Sequence, residues 1–218
     1  GAGMTGSFWP SIDQDGISAV VDAAVKGGIS WFDTAEMYGK GRSEQALAAG
    51  LSKCGVRPGS VVVATKWWPF PRTARSIGRT IETRIVCLAP YAVDLLQVHQ
   101  PWSLAPIPAQ MRAFAALVRA KKIRAAGVSN FSTWQMEQAH AVLAAEGVPL
   151  ASNQVRFNLL DRRIEANGVL ASARRLGVTI IAWSPLAPGM LTGRFHDDPG
   201  LVELGLAEGR TRESVQED

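Results

Sequence analysis

Apolar positions along the chain recur with two periods, and the switches between them divide it into elements. Stretches with apolar residues three or four apart read as helices that bury one face. Short, nearly unbroken apolar runs read as strands buried on both faces. The pattern predicts a helix over about 14–26, stopped by the C-cap sequence Gly27-Gly28, then a strand over 29–33. A helix over 43–53, a strand over 60–65, a helix over 74–88 and a strand over 93–98 follow. Next come a helix over 108–120 and a strand over 123–128. Ser132-Thr-Trp-Gln135 is a capping-box sequence, and the helix it opens runs to about 146, where Gly147 stops it. The last pieces are a strand over 150–155, a helix over 165–176 ended by Gly177, and a strand over 178–183.

Six strands separated by single helices imply a parallel sheet with right-handed crossovers, either an open doubly wound sheet or a barrel. No repeat, low-complexity tract or linker divides the chain, so residues 1–218 are expected to form one domain. The polar segment 196–218 is expected to be poorly ordered, and 1–10 is too short and glycine-rich to specify a strand. A complete (β/α)8 barrel needs eight strands and about 250 residues. The expectation is therefore a barrel with six clear strands, its first and eighth short or missing.

Composition narrows the function classes. With 47% hydrophobic and 19% charged residues the chain is of ordinary globular type. The net charge of +4 is dispersed, with Lys121-Lys122, Arg162-Arg163 and Arg174-Arg175 as pairs, which argues against a nucleic-acid stripe. Cys54 and Cys87 have no ligand spacing and suggest a reducing, cytoplasmic setting. Three histidines without a paired spacing argue against a metal centre. No apolar run approaches the roughly 20 residues of a membrane span, and the start does not look like a signal peptide. Gly1-Ala-Gly3-Met-Thr-Gly6 matches a dinucleotide fingerprint, but no strand precedes it and the helix begins late, so it is set aside.

The candidate chemistry sits at strand ends. Asp33, Lys66 and His99 each close an apolar run, and Tyr38 lies in the loop after Asp33. In a parallel barrel the carboxyl ends of the strands share one mouth. A lysine ammonium beside a tyrosine, held by a carboxylate, is expected to lower the phenol pKa from its usual value of about 10. A histidine can then orient a carbonyl oxygen toward the hydroxyl while the carbon accepts a hydride, for which a nicotinamide is the natural donor. Each residue alone has a plainer explanation: a structural histidine, a solvated lysine, an aspartate capping a turn. Their joint placement at successive strand ends favours the catalytic one. Phe8, Trp9, Trp67, Trp68, Phe70 and Trp102 fall on mouth loops, either lining an apolar pocket or packing the rim, with Trp67 and Trp102 the expected substrate contacts.

Phe32-Asp-Thr-Ala-Glu-Met-Tyr-Gly39, Thr65-Lys66, Gln97-Val-His-Gln-Pro101, Gly127-Val-Ser-Asn-Phe131, Asn153-Gln154 and Trp183-Ser-Pro-Leu186 occur in one order. With them the chain from Phe8 to Phe195 resembles the aldo-keto reductases. Lys66-Trp-Trp-Pro69 and His99-Gln-Pro-Trp102 are similar to the bacterial and plant branch. The resemblance implies a (β/α)8 barrel that uses NADPH to reduce a small aldehyde or ketone. It implies Tyr38 as general acid, Lys66 and Asp33 as its tuning pair, and His99 as carbonyl-orienting residue. Ser129, Asn130 and Gln154 are implied contacts of the nicotinamide carboxamide, and Trp183 the aromatic stacked on the ring. Ser184 and Leu186 begin a loop that approaches the pyrophosphate, and Asp33 is also near the nicotinamide ribose. Nothing in the chain matches the family's grip on the adenosine 2′-phosphate; Arg194, Arg210 and Arg212 are unassigned charges, and NADPH and NADH stay open as donors. The alternative is a non-catalytic truncated barrel acting as a binding or regulatory protein. A third possibility is a second protomer covering the sheet edges, for which the sequence has no direct sign.

Overall fold

A computed structural model describes residues 14–193. The expectations for Gly1 to Gly6, Phe8, Trp9, Arg194, Arg210, Arg212 and the segment 196–218 lie outside the described residues.

The strands are β1 (Trp31–Asp33), β2 (Val62–Trp67), β3 (Leu95–Val98), β4 (Ala125–Ser129), β5 (Leu150–Arg156) and β6 (Thr179–Trp183). They form one parallel sheet whose spatial order repeats the chain order, β1 to β6. This decides between the two predicted architectures. A doubly wound sheet reverses direction at its centre so that helices cover both faces. An unreversed order with right-handed crossovers puts all helices on one face and curls the other inward, as in a barrel. Among the described residues β1 and β6 are the edges.

The helices are α1 (Gln14–Lys26), α2 (Arg42–Lys53), α3 (Arg75–Leu88), α4 (Ile107–Arg119), α5 (Thr133–Ala145), α6 (Arg163–Ala166) and α7 (Val169–Leu176). Strand alternation splits the side chains between two layers. Val63, Trp67, Leu96, Val98, Ala126 and Val128 point toward the helices. They pack there against residues such as Leu51, Ile77, Ile81, Met111, Phe114 and Leu143. Each such fully buried side chain contributes about 1.5–3 kcal/mol. The other set, Asp33, Lys66, Gln97, Gly127 and Ser152, meets on the inner face.

Most predicted boundaries shift by one or two residues, and three of the differences are informative. The first strand starts at Trp31 instead of 29, because the Ile29 amide donates to the Ala24 carbonyl at 2.9 Å and closes the end of α1. Gly28, with φ of 84°, makes that reversal possible. The helix predicted over 165–176 is two helices, α6 and α7. Gly168 at φ of 87° breaks the spiral, and the Asn167 side chain accepts from the Val169 amide at 3.1 Å to start α7. The second strand runs through Trp67, two residues past its predicted end. The capping box at Ser132 forms as the sequence predicts, with both reciprocal bonds present.

Candidate active site

The site grows from the carboxyl ends of β1, β2 and β3. Register sets Asp33 beside Ala64, and Lys66 beside Gln97, so side chains of like parity meet on the inner face. The Lys66 side chain is 1% exposed and its ammonium donates to Asp33 Oδ2 and, at 2.9 Å, to the Thr34 carbonyl. A buried lysine without such partners would give up its charge. Burial holds the Lys66 pKa below its ordinary value, and Asp33 opposes the fall.

Tyr38 begins the 3-10 turn Tyr38–Gly41, in which Gly39 and Lys40 are left-handed (φ of 63° and 55°). The turn swings the phenol back over the sheet end. Lys66 Nζ lies 5.5 Å from the Tyr38 ring centroid, and the His99 ring stands edge-on to it at 5.6 Å. The four predicted catalytic residues are thus brought together. One expectation changes: Tyr38 is pushed up to about 12, by burial first and by the Asp33 charge second, instead of being lowered by Lys66. Its proton is firmly held in this state. His99 is pushed down to about 3, mainly by burial and further by Lys66, so its ring is neutral. Nδ1 of His99 is buried and has no hydrogen-bond partner among the described residues.

A cavity of about 450 Å³ opens in front of these groups, lined by Asp33, Tyr38, His99, Ser129, Asn130, Gln154, Trp183 and Ser184, with Trp31, Gln100 and Pro185. Six further predicted positions therefore resolve as follows. Ser129, Asn130, Gln154, Trp183 and Ser184 face the cavity, whereas Leu186 is 54% exposed and outside its lining. Ser129 Oγ donates to the Gln154 carbonyl at 2.8 Å, and Trp183 Nε1 donates to Asn130 Oδ1 at 2.9 Å. Asn130 and Ser184 carry positive φ of 61° and 52°, a conformation that non-glycine residues keep only where surroundings enforce it. Trp183 also lines a second cavity of about 440 Å³ with Arg156 and Asp161. Trp183 and Asn130 line both cavities, and the Arg156 guanidinium carbon is 5.9 Å from the Trp183 ring centroid.

The predicted substrate contacts divide. Trp67 is 1% exposed and faces the helices, its Nε1 donating to Ser76 Oγ at 3.0 Å, so it belongs to the core and not to the mouth. The reason is strand parity: Lys66 points inward, so its neighbour Trp67 must point outward. Trp68, one residue on, is the aromatic at the mouth, edge-on to His99 at 5.2 Å and to Trp102 at 5.1 Å. Phe70 packs on Trp102 at 6.0 Å.

Sequence reasoning missed the residues behind the site. Gln97 Nε2 contacts Asp33 Oδ1 at 3.4 Å, and Gln97 Oε1 accepts from Ser152 Oγ at 3.3 Å, which continues the polar layer across β3 and β5. The parity of Gln97 with His99 was the signal available for it. Among the described residues no group of three or more His, Cys, Asp or Glu could hold a metal ion, and no helix is long and apolar enough to cross a membrane.

A sequence model of the aldo/keto reductase family matches residues 1–211. The chain is similar to the aldo-keto reductase YhdN of Bacillus subtilis, 33% identical over 201 residues, which cover 88% of this chain and 59% of that protein. It is also similar to the chloroplastic pyridoxal reductase of Arabidopsis thaliana, 34% identical over 195 residues, 84% of this chain and 53% of that one. The crystal structure of an aldo/keto reductase from Klebsiella pneumoniae in complex with NADP and acetate matches with a TM-score of 0.75 at 27% identity. That match covers 97% of this chain and 72% of the other. The chain spans a little over half the length of the two curated relatives. On the match over residues 1–211, and on a parallel sheet wound as that family winds it, this chain belongs to the aldo/keto reductase family.

Proposed function

We propose that this chain reduces a small aldehyde or ketone to the alcohol with NADPH, Tyr38 supplying the proton. The observation that carries the reading is the buried Lys66 ammonium, held by Asp33 and lying within 5.5 Å of the Tyr38 ring centroid. NADPH, when bound, supplies a hydride to the carbonyl carbon. The residues fit such a cofactor. The cavity holds a flat aromatic, Trp183, together with Ser129, Asn130 and Gln154, which suit a ring bearing a carboxamide. Its volume is in the range of small-molecule sites.

Each side chain then has one task. Neutral His99, which lines the cavity, offers its ring to the carbonyl oxygen. Tyr38 donates its proton to that oxygen as negative charge develops there. The Lys66 ammonium stabilises the phenolate left behind, and Asp33 keeps Lys66 charged and aimed. Trp68 and Trp102 form an apolar wall that suits a hydrophobic substrate.

A second reading, cofactor binding without turnover, draws on the firmly held Tyr38 proton. One titration separates the two. NADPH is added while indole emission is followed, and then a reactive aromatic aldehyde. Saturable quenching followed by cofactor oxidation supports reduction; quenching without oxidation supports the second reading. Tyr38→Phe is expected to lower kcat at least 10²-fold, at the lower end of what a positioned proton donor contributes, while the Kd for NADPH stays within about two-fold. Retained turnover in that variant overturns the role of Tyr38.

A further inference from the structure

The loop that carries Tyr38 is held by a buried ionic network that the chemistry above does not use. Glu36 lies between Asp33 and Tyr38 and is 6% exposed. Its amide donates to the Lys66 carbonyl at 3.3 Å. Its Oε1 accepts from the Trp68 amide and, at 2.6 Å, from Arg72 Nη1, while Oε2 accepts from Arg84 Nη1 at 3.1 Å. Arg84 continues to Glu44 on α2, Nε to Oε2 at 3.0 Å, and Glu44 Oε1 accepts from Thr65 Oγ1 at 2.6 Å. One residue therefore ties the loop after β1 to the end of β2 through its amide, and through its carboxylate to the segment after β2, to α3 and, by way of Arg84, to α2.

Such a network is weak evidence of stabilisation. Desolvating the Glu36 carboxylate and the Arg84 guanidinium carries a large penalty, and an apolar replacement is often as stable. What it does supply is geometry. Trp68, whose amide Glu36 holds, sets its ring against His99 and Trp102. Tyr38, two residues from Glu36, sets its ring against the same histidine. We propose that Glu36 is a positioning residue, its carboxylate fixing the proton-donor loop and the aromatic wall in one register about His99. The proposal rests on the reductase reading for its activity arm only.

The test uses the full chain with Glu36→Gln, which keeps an acceptor for the Trp68 amide but removes the charge that holds Arg72 and Arg84. Expected are a kcat for an aromatic aldehyde lowered about 10- to 100-fold, the range for a misplacement near 1 Å, and an NADPH Kd changed less than two-fold. A lower melting temperature with unchanged kcat in the folded protein overturns the proposal, since a merely structural role predicts that result. Should Glu36→Gln fail to fold, Arg72→Met at the half-exposed end of the network decides: a kcat about three-fold lower supports the proposal and an unchanged kcat overturns it. An arm independent of activity is the near-ultraviolet dichroism of the ligand-free protein. Glu36→Gln is expected to alter the band that Trp68→Phe removes; an unaltered band overturns the proposal even where the wild-type chain turns over no carbonyl, which is the outcome that would count against the reductase reading instead.

Discussion

Glu44 is fully buried and His99 partly so, and burial moves them in opposite senses. Glu44 is pushed up to about 7, by burial first, with Thr65 and Arg84 pulling it back. The Arg84 Nε contact at 3.0 Å is not aligned as a hydrogen bond, which leaves Glu44 Oε2 unpartnered and explains why the guanidinium does not hold the carboxyl ionised. A carboxyl whose folded pKa is raised from 4.5 contributes stability that is complete below pH 4.5 and is lost as pH rises through 7. At about 1.4 kcal/mol per unit the span is on the order of 3 kcal/mol. Glu44→Gln is expected to abolish that slope, checked by thermal unfolding at a series of pH values between 4.5 and 8. His99, lowered to about 3, contributes the reverse, stability present above pH 6.5 and lost as pH falls toward 3. In Glu44→Gln the melting temperature should therefore fall on acidification; a profile unchanged from wild type would sink this account. At this scale the sequence exposed Asp33, Lys66, His99 and Tyr38, because their chemistry is distinctive at strand ends. It did not expose Gln97, Ser152 or Glu36, ordinary polar residues whose side-chain partners lie 32 to 64 positions away.

Strand parity and close approach decide what an element can carry. On the inner face a methyl group added to Gly127 would overlap Ser152 Oγ and come within 3.0 Å of Gln97 Cγ. Glycine here is required by space, at the shift in register between β4 and β5 that falls between Ala126 and Gly127. Gly127→Ala is expected to destabilise the fold by about 1–3 kcal/mol, as overpacking does. It should also loosen the Gln97 contact with Asp33, lowering kcat along with stability. Denaturant unfolding alongside initial rates checks both; a stability equal to wild type contradicts the crowding argument. Helix and strand alternation was legible because period and length differ sharply between the two kinds of element. The break at Asn167-Gly168 was not, since the apolar spacing continues across it and only the left-handed glycine interrupts the spiral. Nor was the Trp67 and Trp68 assignment legible, which needed the inward direction of Lys66 to be carried one residue further.

At the scale of the whole molecule, protection should follow position in the sheet. β3 and β4 are flanked on both sides, whereas β1 and β6 have one strand neighbour each among the described residues. β6 is the more open, with Thr179, Ala182 and Trp183 exposed. Native-state amide exchange is expected to be slowest in β3 and β4 and fastest among the strands in β6. Uniform protection across the six strands would contradict this order. A sheet whose spatial order repeats its chain order also bears on how the molecule is made. Each strand-and-helix step of about 30 residues docks on the step before it. As the chain emerges from the ribosome, every new step finds its docking surface already built. In a doubly wound sheet the first strand is central and waits with one side bare until the second half arrives. Here synthesis and assembly can run in the same direction, one step behind each other.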